Sequence, residues 1–130
     1  MKKLIMIMLM AGAILVLNEA YAQGNQDAAA TAANDIKNSV FYRIQKGIYN
    51  RAIKYNDVNM ALNSLYHMCI MEPQNDSLLF SLAYLYFDNQ QYLSAVLTLN
   101  DVLLLNPDNL TAMEMKAVSL EQVGAKDRAL

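Results

Sequence analysis

The sequence repeats itself at a distance of 34 residues, and this constrains the fold more than any other property of the chain. Its two prolines, Pro73 and Pro107, stand that far apart, each followed two residues later by an asparagine, Asn75 and Asn109. At the same offset Ala61, Ala95 and Ala129 coincide, as do Leu62, Val96 and Leu130. Leu65 falls on Leu99, Met68 on Val102, Cys69 on Leu103, Met71 on Leu105 and Ser77 on Thr111. A fixed period of this size marks a solenoid, in which each unit buries its apolar face on its neighbours.

Within each unit the apolar residues recur at three and four. Ile36, Val40, Ile44, Ile48 and Ala52 form one stripe, and Val58, Ala61, Leu62, Leu65, Met68 and Cys69 the next. Leu78, Leu79, Leu82, Leu85 and Tyr86 follow, then Ala95, Val96, Leu99, Val102 and Leu103. This is helical spacing, and no segment shows the strand period of two. The spacing predicts an all-α chain of antiparallel helical pairs. Tight turns are expected near Tyr55–Asp57 and within Phe87–Gln91. Asn75 and Asn109 are expected as N-caps, their side chains accepting from first-turn amides, with the prolines just before them where no helix can continue. Gly124 is expected to end the first helix of the last unit.

The N-terminus follows a different logic. Two lysines, a 14-residue apolar run from Leu4 to Leu17, and Ala20-Tyr21-Ala22 make the three parts of a secretory signal peptide. A helix needs about 20 apolar residues to span a bilayer, so an uncleaved anchor is the second reading. Cleavage after Ala22 leaves 108 of the 130 residues, with 8 basic and 11 acidic side chains, a formal charge of −3. A chain so weakly acidic, without a basic cluster, is not expected to bind nucleic acid. Residues 23–34, polar and alanine-rich, read as a flexible leader or a frayed helical extension. The repeat domain is then 35–130, with units near 42–75, 76–109 and an incomplete 110–130.

Catalytic constellations are not expected. His67 is the only histidine, and Cys69, the only cysteine, lies two residues on, which on a helix is a different face. Cys69 fits the apolar stripe as a small core residue. No phosphate-cradling glycine loop and no paired-carboxylate spacing is present, so no enzyme activity, cofactor or metal is expected. The two Asn-x-Ser/Thr triplets, at Asn75 and Asn109, are explained by helix capping.

With Asp76 as the first position of a unit, Leu79, Leu82, Ala83, Tyr86, Ala95, Leu99, Val102 and Pro107 fall where the tetratricopeptide repeat has its signature residues, and the chain resembles that family. The preceding unit agrees at Ala61, Leu65, Met68 and Pro73 but has Tyr49 in a small-residue place and Ala52 in an aromatic one. The last keeps Ala117, Leu120, Gly124 and Ala129 and stops a few residues into its second helix. The resemblance implies an α-solenoid of about two and a half helix–turn–helix units. It also implies that the first helix of each unit lines a concave groove for a peptide or helix of another protein. By position the groove residues are Arg43, Lys46, Asn50, Ile53 and Lys54; Ser77, Phe80, Tyr84, Phe87 and Asp88; and Thr111, Glu114, Val118 and Glu121. Lys46 and Asn50 match two places of a carboxylate clamp, whereas Ser81, Thr111 and Met115 depart from it. The expected function is an exported protein-interaction module, periplasmic by preference, otherwise secreted or anchored by an uncleaved signal. The alternative is a structural spacer, or a self-associating segment joined through its incomplete last unit, within a larger envelope protein of which this chain is a fragment. No small-molecule substrate is expected.

Overall fold

A computed structural model describes the backbone of residues 2–129 and the side chains of residues 3 and 8–125. Ala129 as a side chain, and Leu130 altogether, lie outside the described residues. Among those described the chain is all α. Seven helices follow one another: α1 (Lys2–Ala22), α2 (Gln26–Asn38), α3 (Val40–Lys54), α4 (Val58–Met71), α5 (Asp76–Asp88), α6 (Tyr92–Leu105) and α7 (Leu110–Ala129). Adjacent helices pack as pairs, α1 with α2, α3 with α4 and α5 with α6, and α7 lies on α6. The arrangement is that of a helical repeat.

The period reappears in the hydrogen bonds. After α3, Asn56 adopts φ 55°, and after α5, 34 residues later, Gln90 adopts φ 60°. Each closes its helix in the same way. The amide of Asp57 donates to the Ala52 carbonyl and that of Asn56 to Ile53; Gln91 donates to Tyr86 and Gln90 to Phe87. This is the Schellman closure, whose left-handed residue reverses the chain. The residue after it opens the next helix, and Asp57 Oδ1 accepts from the Met60 amide at 3.0 Å. Gly24, at φ 68°, makes the same closure between α1 and α2, where the lack of a Cβ removes the steric cost.

The other ends of the hairpins are equally alike. Asn75 Oδ1 accepts from the Leu78 amide at 3.1 Å, and Asn109 Oδ1 from the Ala112 amide at 3.0 Å. Both caps expected from the sequence are therefore made. Pro73 and Pro107 lie between these caps and the helices before them. Even the back-bonded hydroxyls correspond: Ser64 Oγ donates to the Met60 carbonyl at 2.8 Å, Thr98 Oγ1 to Ser94 at 2.9 Å.

The core is a chain of small clusters along the helix pairs. Leu62, Leu65 and Cys69 of α4 meet Leu82 of α5. Leu99 and Val102 of α6 meet Ala83 of α5 and Ala112 of α7. Ala61 and Ala95, equivalent in the repeat, have no exposed surface. Small side chains there let neighbouring helix backbones approach.

Of the two readings of 23–34, the helical one agrees with the structure from Gln26, where Asn25 caps α2 and Ala29, Ala32 and Ile36 share one face. That face packs on Leu17 and Ala20 of α1, together with Tyr42, Met68 and Met71. The expected helix end at Gly124 is absent: α7 runs through it to Ala129 without a second rod. Glycine inside a helix costs only about 1 kcal/mol relative to alanine, so α7 continues through it. Among the described residues, no helix is long and apolar enough to cross a membrane.

Candidate partner-binding groove

Residues of α3 and α5 enclose a notch. Tyr49 and Ile53 of α3 face Phe80, Ser81, Tyr84 and Leu85 of α5 around a cavity of about 240 Å³. The lining is mostly apolar, and two of its residues stand open: Tyr84 is 52% exposed and Ile53 48%.

The aromatic stripe expected at Phe80, Tyr84 and Phe87 is divided by its surroundings. Phe80 is half-buried against the cluster of Ala83, Leu99, Val102 and Ala112, so it belongs partly to the seam with α7. Phe87 is half-buried and meets Tyr92 across the turn, edge to face at 5.6 Å. Tyr84 alone of the three presents most of its ring to solvent.

Charge is distributed unevenly around the notch. Helix α3 carries Arg43, Lys46, Arg51 and Lys54 and no acidic residue, leaving six basic against twelve acidic side chains in the rest of the chain. Arg43, Lys46, Asn50 and Lys54 are exposed, as are Asp88, Glu114, Val118 and Glu121. Lys54 Nζ lies 5.6 Å from the centre of the Tyr55 ring. Of the clamp-like positions, Lys46 and Asn50 stand one turn apart in solvent, while Ser81 and Met115 are half-buried.

Two features escaped the sequence reading. One is a larger cavity, about 430 Å³, between α4, α5 and α6, with Tyr66, Ile70, Leu82, Tyr86 and Leu104 among its walls and Cys69 beside them. The repeat pattern marked Cys69 and Leu82 as core but gave no sign of a gap next to them. The other is Glu72, a carboxylate only 4% exposed. Its Oε2 accepts from Asn75 Nδ2 at 2.6 Å, and its Oε1 is buried without a hydrogen-bond partner. Burial first, and the Glu72 charge second, push the Cys69 thiol up to about 12. The same two causes, with a smaller contribution from Cys69, raise the Tyr42 hydroxyl to about 12. Cys69 is thus a protonated core thiol at neutral pH, unsuited to act as a nucleophile. His67 packs edge to face with Phe41 and Tyr66, at 6.3 and 6.2 Å.

Among the described residues no three His, Cys, Asp or Glu side chains gather as metal ligands. No protein-family model matches the chain, and a search of curated proteins finds no match either.

Proposed function

We propose that the chain is a tetratricopeptide-type α-solenoid, exported by its N-terminal segment, that holds an extended or helical segment of another protein against α3 and α5. The observation carrying this is the apolar notch of Tyr49, Ile53, Phe80 and Tyr84 beside a helix whose only charges are positive. An apolar anchor side chain enters the notch, and acidic neighbours of that anchor run along Arg43, Lys46 and Lys54. Exposed aromatic surface at such a place supplies most of the affinity in an interface, and the charges set orientation and encounter rate. The solenoid reading is supported by the identical Schellman closures and caps recurring at 34 residues. On the export reading, cleavage after Ala22 removes Leu17 and Ala20 from their cluster and uncovers Ala29, Ala32 and Ile36 of α2.

A displayed random-peptide library selected on the purified protein tests the groove. The peptides recovered are expected to combine a bulky apolar residue with flanking Asp or Glu. Ile53→Ser with Tyr84→Ala changes only exposed notch residues and is expected to weaken them at least about tenfold, a loss of roughly 1.4 kcal/mol. Equal affinity of the same peptides for wild type and variant removes the notch from the proposal.

A further inference from the structure

Between Lys54 and Lys116 the chain has no lysine or arginine, while seven of its side chains there are acidic. This stretch builds α4, α5 and α6. The basic side chains lie instead in the first three helices and in α7.

The cavity of about 430 Å³ lies wholly within this base-free region. Buried Leu82 marks its deep side, and exposed Tyr66, Ile70 and Leu104 stand around its rim. Its size and mostly apolar lining are those of a small-molecule site, in which a few polar groups fix orientation. Thr98 already donates its hydroxyl to the Ser94 carbonyl. Burial, and after it Tyr66, raises the Tyr86 hydroxyl above its usual range, so the two phenols of the lining lie close together. Among the described residues, Asp101 is the only charged side chain of the lining. A second negative charge lies behind the wall, since Glu72 acts on Cys69.

We propose that this cleft binds a hydrophobic amine, a small molecule with an alkyl or aryl body and a protonated nitrogen. The body displaces water from Leu79, Leu82 and Leu105, and the nitrogen lies toward Asp101 and the tyrosine rings. Aromatic rings attract a cation, and low-dielectric walls bearing one sign of charge focus the field at such a mouth. A carboxylate of the same shape meets that field with the wrong sign and finds no basic side chain to pair with. An inorganic cation finds no ligand set among the described residues, and apolar walls do not replace its hydration. The site binds and does not react, because Cys69 on its wall is held protonated. It shares no residue with the notch of α3 and α5, so either proposal can fail without the other.

Octylammonium, octanol and octanoate share a chain length and differ in charge, and methyl NMR of the full chain with each of them tests the site. Saturable shifts of the Leu82 and Leu105 methyls are expected with octylammonium, at an affinity at least about tenfold above that for octanoate. Asp101→Asn, at an exposed position, is expected to weaken octylammonium about threefold to fivefold while octanol binding and the melting midpoint stay unchanged. Ile70→Trp adds bulk at the rim and is expected to weaken octylammonium and octanol alike; it decides should Asp101→Asn alter the melt. Methyl shifts with none of the three compounds overturn the site. Equal affinity for octylammonium and octanoate, or an Asp101→Asn variant that binds octylammonium as wild type does, overturns the amine and leaves an unselective apolar gap. A lysine-flanked apolar peptide that shifts these methyls where octylammonium does not overturns the small molecule and assigns the cleft to a protein partner.

Discussion

Replacing Leu99 by alanine is expected to destabilise the chain by about 2–5 kcal/mol. Leu99 is fully buried where three helices meet, against Ala83 of α5, Val102 of its own helix and Ala112 of α7. Two of those neighbours are alanines, which hold the backbones close and have no side-chain reach with which to fill a void. Leu79, Phe80 and Met115 pack on the same cluster and close part of the void by relaxing, so the loss falls within that range. Domains of this size are stable by about 5–15 kcal/mol, so the change removes a large share of the whole. Urea denaturation followed by circular dichroism measures it as a fall in midpoint at constant slope. Asp101→Ala, at an exposed site two residues along α6, is expected to shift stability by no more than about 0.5 kcal/mol. Equal midpoints for Leu99→Ala and wild type would show that α7 does not close over α6 as described.

The second large effect comes from adding volume. Ala95→Leu inserts three carbons where α6 approaches α5, at a residue with no exposed surface. Overpacking of this kind costs about 1–3 kcal/mol. Ala61 occupies the same place in the preceding unit and is equally buried, so Ala61→Leu is expected to fall in the same range. Thermal melts of the two variants check this together. An unchanged melt for either one would mean that its helix pair is spaced more widely than the repeat requires.

Much of this architecture was legible because the determinants are local. A cap needs an asparagine within reach of amides two or three residues on, and Asn75 and Asn109 satisfy that from sequence position alone. The turns at Asn56 and Gln90 fall where the apolar period breaks. What depended on distant neighbours was not legible. Phe80, Tyr84 and Phe87 share one helical face, but Phe80 is claimed by α7 and Phe87 by Tyr92, and no periodicity within α5 says so. Glu72 lies in a polar stretch that reads as loop, yet it is buried beside Leu17, Tyr21 and Lys37 from the first two helices. Gly124 reads as a helix end because glycine so often is one, but a helix interior also tolerates glycine. The N-terminal apolar run shows the limit most clearly. Its composition reads as an export signal, whereas in the fold Leu17 and Ala20 pack α1 on α2.

The groove inherits this division. The charged residues expected there on α3 are exposed, as helix periodicity suggests. The notch itself needed Tyr49, a residue that departs from the tetratricopeptide-like pattern read in the sequence, set against Tyr84 of the next hairpin. Its ring builds one wall of the cavity, which comparing positions along the sequence does not reveal.

The account rests on successive antiparallel hairpins stacked at a 34-residue interval, and methyl NOE spectroscopy tests it most directly. Contacts are predicted between Leu65 and Leu82 across one pair of hairpins and between Ala83 and Leu99 within the next, with helical amide patterns interrupted at Asn56 and at Gln90. Helical connectivity running unbroken through residues 86–94, or silence between Leu65 and Leu82, would contradict it.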